Sequence, residues 1–336
     1  MQEKQHVFRV SEWRMLIIFT IMVLVLSIAS DGVFLKKSNI INLFAQNAIV
    51  GVITIGQFLV IVSGGIDLTV GSTVAITSIM YVLFQEMGLA FSIVLAVIIG
   101  ILIGIINGLT VTKMKIIPFI ATLITMGIVR GFAFLVVNGR VIYDIKPIFL
   151  SINKMKILSI PLLVYIWILL AVIWIIILKY TKIAVNLYST GGNEFVAKLS
   201  GVNTDKVKVL SYVCCGALCG ISGILYTGRF ALADPNTGIN YGMDSITAVV
   251  IGGASLAGGE GKLSNAILGV LILGMLNNFM NIVGIPSAMH VGIKGFILVI
   301  TVLLYNTDIY KYLIKRRNRN KLLGKYQHIN KNQQQN

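Results

Sequence analysis

Charge is what this sequence has least of. Only 12% of its 336 residues are Asp, Glu, Lys or Arg, while 57% are hydrophobic. A soluble domain carries about 25% charged and about 45–50% apolar residues, so an ordinary water-soluble fold is excluded. Disorder is excluded by the same excess of apolar surface. Cysteine is scarce: Cys214, Cys215 and Cys219 share one apolar stretch. They have no C-x-x-C spacing and no histidine at metal spacing, which reads as small buried hydrophobes. His6, His290 and His328 are too scattered for a metal site. Acidic residues number 12 against 28 Lys+Arg, a net charge of +16. No aromatic or glycine-rich RNA-binding pattern accompanies that charge, so no nucleic acid is expected and membrane lipid is the expected partner. A phosphate loop is also missing. Gly258-Gly259-Glu260-Gly261-Lys262 has Leu256 where a glycine is needed and Leu263 where Ser or Thr is needed. No serine, cysteine or zinc-ligand constellation supports an enzyme, and no cofactor is expected in this chain.

What the chain does have is apolar runs long enough to span a bilayer, which takes about 20 residues each. They fall near 15–35, 44–62, 70–85, 89–111, 118–137, 161–178, 209–228, 244–258, 264–283 and 290–306. The third and eighth are short and flanked by glycine. The expected fold is an all-α integral membrane protein of about ten transmembrane helices. Its parts are a 1–14 cytoplasmic N-terminus, a 15–310 transmembrane domain and a 311–336 basic tail. Placing both termini in the cytoplasm leaves Lys36, Lys37, Arg140, Lys146, Lys154, Lys156 and Arg229 as the only cations outside. Arg130 and Lys294 then fall within spans and the remaining cations lie inside, as the positive-inside rule requires.

Ionisable groups in or beside spans cost several kcal/mol, about 2.5–3.5 on insertion scales, so each needs a reason. Asp67 lies in Gly64-Gly65-Ile66-Asp67-Leu68-Thr69-Val70-Gly71-Ser72, and Asp244 in Tyr241-Gly242-Met243-Asp244-Ser245. Each precedes a short apolar run and is read as a helix cap or a substrate contact. The order Gly-x-Asp, Ile-Pro, basic-Gly occurs twice: Asp67, Ile117-Pro118, Arg130-Gly131, then Asp244, Ile285-Pro286, Lys294-Gly295. The two sets run in opposite membrane orientations. An inverted repeat with interrupted helices is expected, as in many transporters. Gly100, Gly104 and Gly108 share one helix face, as do Gly216 and Gly220, which suits close helix packing. Asn107, Asn277 and Asn278 are amides within spans, candidates for interhelical hydrogen bonds or for a polar solute.

The longest inner loop, 179–208, holds a short helix signal. Asn193 is a good N-cap, Glu194, Phe195, Val196, Lys198, Leu199 and Ser200 follow, and Gly201 sits where the helix should stop. That helix either rests on lipid and its own bundle or docks a cytoplasmic partner.

Four segments together resemble the ribose-type sugar permeases of bacterial ABC importers. They are 64–72, 121–142 (ATLITMGIVRGFAFLVVNGRVI), 191–201 (GGNEFVAKLSG) and 248–261 (AVVIGGASLAGGEG), in register over about 15–310. The resemblance implies a multi-pass permease subunit of the bacterial inner membrane, paired with a second copy or a close paralogue. It further implies a cytoplasmic ABC ATPase that holds the ATP and Mg, and an extracytoplasmic solute-binding protein. Residues 193–201 become the ATPase-coupling loop, and a monosaccharide or related small polar solute the cargo. The rival expectation is an ion-coupled secondary transporter using Asp67 or Asp244. A passive channel is the third.

Overall fold

A computed structural model describes residues 2–305 of the chain, with side chains from 15 to 301. The basic tail 311–336 lies outside the described residues. Residues 1–291 form one compact unit, and a second begins at Gly292.

The described chain is almost wholly helical. Its first half contains α1 (Gln2–Ala29), α2 (Lys37–Val62), α3 (Val70–Leu83), α4 (Leu89–Thr112), α5 (Pro118–Val136) and the one-turn α6 (Ser151–Lys154). A two-stranded hairpin, β1 (Lys156–Ile157) and β2 (Ile160–Pro161), leads into α7 (Leu162–Tyr180). There follow α8 (Lys182–Gly192), α9 (Glu194–Leu199), α10 (Thr204–Phe230), α11 (Tyr241–Ile251), α12 (Leu263–Ile282) and α13 (Ser287–Tyr305). Among the described residues six helices are long and apolar enough to cross a membrane: α2, α4, α5, α7, α10 and α12. The other four apolar runs give shorter described apolar stretches within α1, α3, α11 and α13: Met15–Ala29, Val70–Leu83, Tyr241–Ile251 and Ser287–Thr301.

Burial sorts these helices into centre and periphery. The apolar window of α2 is 89% buried and that of α7 only 22%. A helix apolar all round and enclosed by protein sits in the middle of a bundle, whereas one with exposed Ile168, Leu169, Val172 and Ile176 needs lipid or a partner. Two glycine rows make the tightest contact. A Cβ on Gly100 would lie 2.1 Å from the Gly216 carbonyl oxygen, and one on Gly104 would lie 2.3 Å from that of Tyr212. The row on α4 therefore packs on the row of α10, backbone against backbone.

Several boundaries differ from the sequence expectation: α1 ends at Ala29 rather than near 35, α2 begins at Lys37 rather than near 44, and α10 begins at Thr204 rather than near 209. The eighth apolar run ends at Ile251 rather than near 258, because Gly253, Gly258, Gly259 and Gly261 all adopt positive φ, which no helix accommodates. The 179–208 loop contains two helices instead of one, α8 as well as α9.

Candidate functional site

The polar face of the 179–208 loop is built by two caps in tandem. Asn193 Oδ1 accepts from Val196 N at 3.1 Å and starts α9, and Asn203 Oδ1 accepts from Lys206 N at 3.0 Å and starts α10. Between them Gly201, at φ 82°, stops α9 as its position suggested. Glu194 does not project from this surface. Its carboxylate binds Lys198 at 2.8 Å and Lys208 at 2.5 Å, and accepts from Thr204 Oγ1 at 3.2 Å, which staples α9 to the start of α10. The hydrogen bonds from Lys198 and Lys208 hold its carboxyl down at about 2. Ala197 points inward, while Phe195, Val196 and Leu199 are exposed at 71%, 53% and 74%. The product is a short helix whose three apolar side chains no described residue covers.

Behind this loop the glycine-rich 258–261 segment closes against α8. Gly259 N donates to Val62 O at 2.9 Å, and Tyr188 Oη donates to Gly261 O at 2.8 Å. A Cβ on Gly191 would lie 1.8 Å from Val62 O, so these glycines serve close approach of three segments.

Asp67 lies within the bundle at 2% exposure. It does not cap α3 at its second or third amide, as a helix cap would. It closes a turn ahead of the helix: Oδ1 accepts from Thr69 N at 2.8 Å and from Thr69 Oγ1 at 2.5 Å. Asn107 Nδ2 donates to Thr69 Oγ1 at 2.9 Å and reaches Asp67 Oδ1 at 3.5 Å. In the orientation its partners require, the Gln57 amide donates to Asp67 O at 3.0 Å and accepts from Asp67 N at 3.3 Å. Tyr212 Oη and Thr122 Oγ1 both donate to Ile66 O, at 3.2 and 3.3 Å. Side chains from α2, α4, α5 and α10 thus fix one irregular segment, in which main-chain groups must find partners inside the protein. Sequence reasoning paired neither Asp67 with Asn107 nor Gln57, Thr122 and Tyr212 with this turn. Their signal was polarity within apolar runs.

No lysine or arginine bridges to Asp67 among the described residues. Asp67→Asn keeps an oxygen for both Thr69 donors. It is expected to cost about 1 kcal/mol and to lower the melting temperature by about 2–4 °C, with transport retained. A folded Asp67→Asn protein with no transport would instead make Asp67 an ion-coupling residue.

Arg130 lies apart from that turn. Its guanidinium donates to the main-chain oxygens of Pro235 and Thr237, the latter at 2.7 Å, and so holds the α10–α11 connection against α5. The connection is also tied by reciprocal main-chain bonds between Ile142 and Ala233, 2.9 and 3.0 Å. Here the starts of α3 and α11 meet. A Cβ on Gly71 would lie 2.0 Å from Gly238 O, and one on Gly242 would lie 3.6 Å from Leu68 O. Asp244 falls in the first turn of α11, which begins at Tyr241 and so precedes it; Asn240 takes the capping position. Asn278 pairs reciprocally with Asn39 at 2.9 and 2.8 Å, linking α12 to α2. Asn277 Oδ1 and Asn107 Oδ1 are buried with no partner among the described residues.

Comparison with known proteins finds relatives over nearly the whole chain. The model of the family described as branched-chain amino acid transport system, permease component, matches residues 39–302. The ribose import permease protein RbsC of Bacillus subtilis (strain 168) is 41% identical over 288 residues, covering 84% of this chain and 89% of that protein. RbsC of Haemophilus influenzae is 37% identical over 302 residues, 88% of this chain and 93% of that one. The L-arabinose transport system permease protein AraH of Escherichia coli (strain K12) is 33% identical over 309 residues, 91% and 92% of the two chains. No solved structure matches.

Proposed function

Since the chain belongs to the family of permease components of branched-chain amino acid transport systems, we propose that it is the membrane-spanning subunit of an ABC importer for a monosaccharide or related small polar solute. The family is one of transport permeases rather than enzymes, and the chain is a multi-pass protein of the bacterial inner membrane. The observation that carries the sugar reading is the identity to ribose and arabinose permeases along at least 84% of this chain.

In this reading residues 15–310 form the permease, with ten crossings and both termini in the cytoplasm. ATP and Mg sit on a separate ATPase, which docks on α9. A second permease completes the pathway, and an extracytoplasmic binding protein delivers the solute. Support for the ATPase contact comes from the exposed Phe195, Val196 and Leu199 on a helix stapled by Glu194. An inverted repeat pairs α2–α3–α4–α5 with α10–α11–α12–α13. Each set holds a long helix, a short one, another long one and a helix after Ile-Pro, and the two short helices start against each other. We place the closed point of the pathway there, between Gly71 and Gly238 and beside Arg130. Switching is then a two-state equilibrium biased by nucleotide and by the loaded binding protein.

The test is purification of the tagged chain from its native membrane in mild detergent, with mass spectrometry of what accompanies it. The expected result is an ATPase carrying a Walker motif, in stoichiometric amount. Repeated recovery of this chain alone, together with solute flux by the chain alone in liposomes, would overturn the reading.

A further inference from the structure

A crevice of about 410 Å³ opens between α2, α7, α8 and α10, well within the roughly 300–1,000 Å³ of ligand pockets. Its walls are mostly apolar, formed by Leu59, Trp174, Leu187, Val207, Leu210 and Cys214, and its polar lining residues are Asn186, Asn203, Ser211 and Lys206. Lys206 and Cys214 lie eight residues apart on α10, about 12 Å along the helix, close to the roughly 15 Å of one leaflet's hydrocarbon. The crevice is therefore about as long as one leaflet's hydrocarbon is deep. On its α7 side the chain emerges through Lys179 and Tyr180, with the ammonium 5.0 Å from the ring centre, a pairing typical of the membrane boundary. Charge at the mouth is unbalanced. Asp205 is taken by Lys113, and Glu194 by Lys198 and Lys208. Lys206, and Lys182 next in sequence to the lining residue Ile183, make no ion pair among the described residues.

We propose that this crevice holds one acyl chain of an anionic phospholipid of the cytoplasmic leaflet, with Lys206 and Lys182 at its phosphate. An apolar slot of leaflet depth with one unpaired lysine in its lining and a second one residue from it in sequence matches that chemistry at both ends, and the cytoplasmic leaflet is the anionic surface such cations meet. The leaflet assignment rests on the topology proposed above; the site itself does not.

Trp174 is a built-in reporter. The permease is placed in nanodiscs of phosphatidylcholine with a minority of phosphatidylglycerol brominated on its acyl chains, and fluorescence is compared with that of Trp174→Phe. The difference isolates Trp174 from Trp13 and Trp167. The expected result is quenching well above that set by the brominated mole fraction, falling by about five-fold in apparent affinity for each of Lys206→Gln and Lys182→Gln. Brominated phosphatidylcholine at the same fraction should quench only in proportion to its abundance. Proportional quenching by both lipids, or enrichment that survives the lysine substitutions, would overturn the proposal. So would no quenching of Trp174 at all, which would mean that protein, such as a second copy, covers the crevice. None of these outcomes depends on the ATPase, so a failed co-purification and a failed lipid site are told apart.

Discussion

Gly216→Val is expected to abolish recovery of folded protein. A Cβ at this position would stand 2.0 Å from the Gly100 carbonyl oxygen, 2.9 Å from its carbon and 3.1 Å from Gly104 N. All three are backbone atoms of α4, so no rotamer change relieves the clash. The helices would have to separate, and with them the contacts of Gly104 on Tyr212, Gly108 on Val209 and Gly220 on Ala96. In a bilayer helix association depends on packing and hydrogen bonds rather than on hydrophobic driving force, so a lost glycine seam is not replaced. Overpacking ordinarily costs about 1–3 kcal/mol, and a rigid backbone obstacle puts this site at or beyond the upper end, against a total stability of about 5–15 kcal/mol. Gly131→Val on α5 is the matched control. A Cβ there meets nothing within 4 Å, and the expected change is under about 1 kcal/mol. Fluorescence-detected size exclusion of tagged protein reads both. A wild-type peak for Gly216→Val would mean that α4 and α10 are not packed at this seam.

The seam also shows what a sequence discloses and what it withholds. The i, i+4, i+8 row of Gly100, Gly104 and Gly108 announces a close contact, because only a missing side chain at that spacing lets a backbone approach. It does not name the partner, which lies more than a hundred residues on. Asp67 is similar: the cost of a carboxylate beside a span was legible, but its partners are supplied by Gln57 and Asn107 on other helices. Helix α9 was readable in full, since Asn193 and Gly201 act locally. Helix α8 was not, because its buried face is only Ala184, Leu187 and Thr190, too short a pattern to stand out in a charged loop. The end of α11 was obscured by apolar residues continuing past Ile251, where backbone φ rather than hydropathy decides. Glu194 changed its part most. In the sequence it resembled a group offered to a partner, and in the fold it is spent on Lys198, Lys208 and Thr204.

That reassignment sets the second large expectation: Leu199→Asp should eliminate uptake while leaving the permease folded. Leu199 and Phe195 stand four residues apart on one face of α9, both more than 70% exposed, so neither contributes to the core. If the ATPase covers this face, burying a leucine there contributes about 1.5–3 kcal/mol, and an aspartate adds the cost of desolvating a charge. Together these correspond to a loss of at least about ten- to hundred-fold in productive docking. Glu194→Gln should do much less, because its side chain is 36% exposed and ion pairs of such groups contribute about 0–1 kcal/mol each. Its pH behaviour is a further check. The carboxyl is lowered from 4.5 to about 2 in the folded protein, so its stapling contribution is complete above about pH 4.5 and fades only as pH falls toward 2. Coupling should therefore show no Glu194-linked change between about pH 5 and 8. The measurement is solute uptake and ATP hydrolysis in proteoliposomes containing the co-purified ATPase and binding protein. The expected Leu199→Asp result is a normal size-exclusion profile, no uptake, and hydrolysis no longer stimulated by the loaded binding protein. Wild-type uptake by that variant would remove α9 as the ATPase contact and leave its apolar face to lipid.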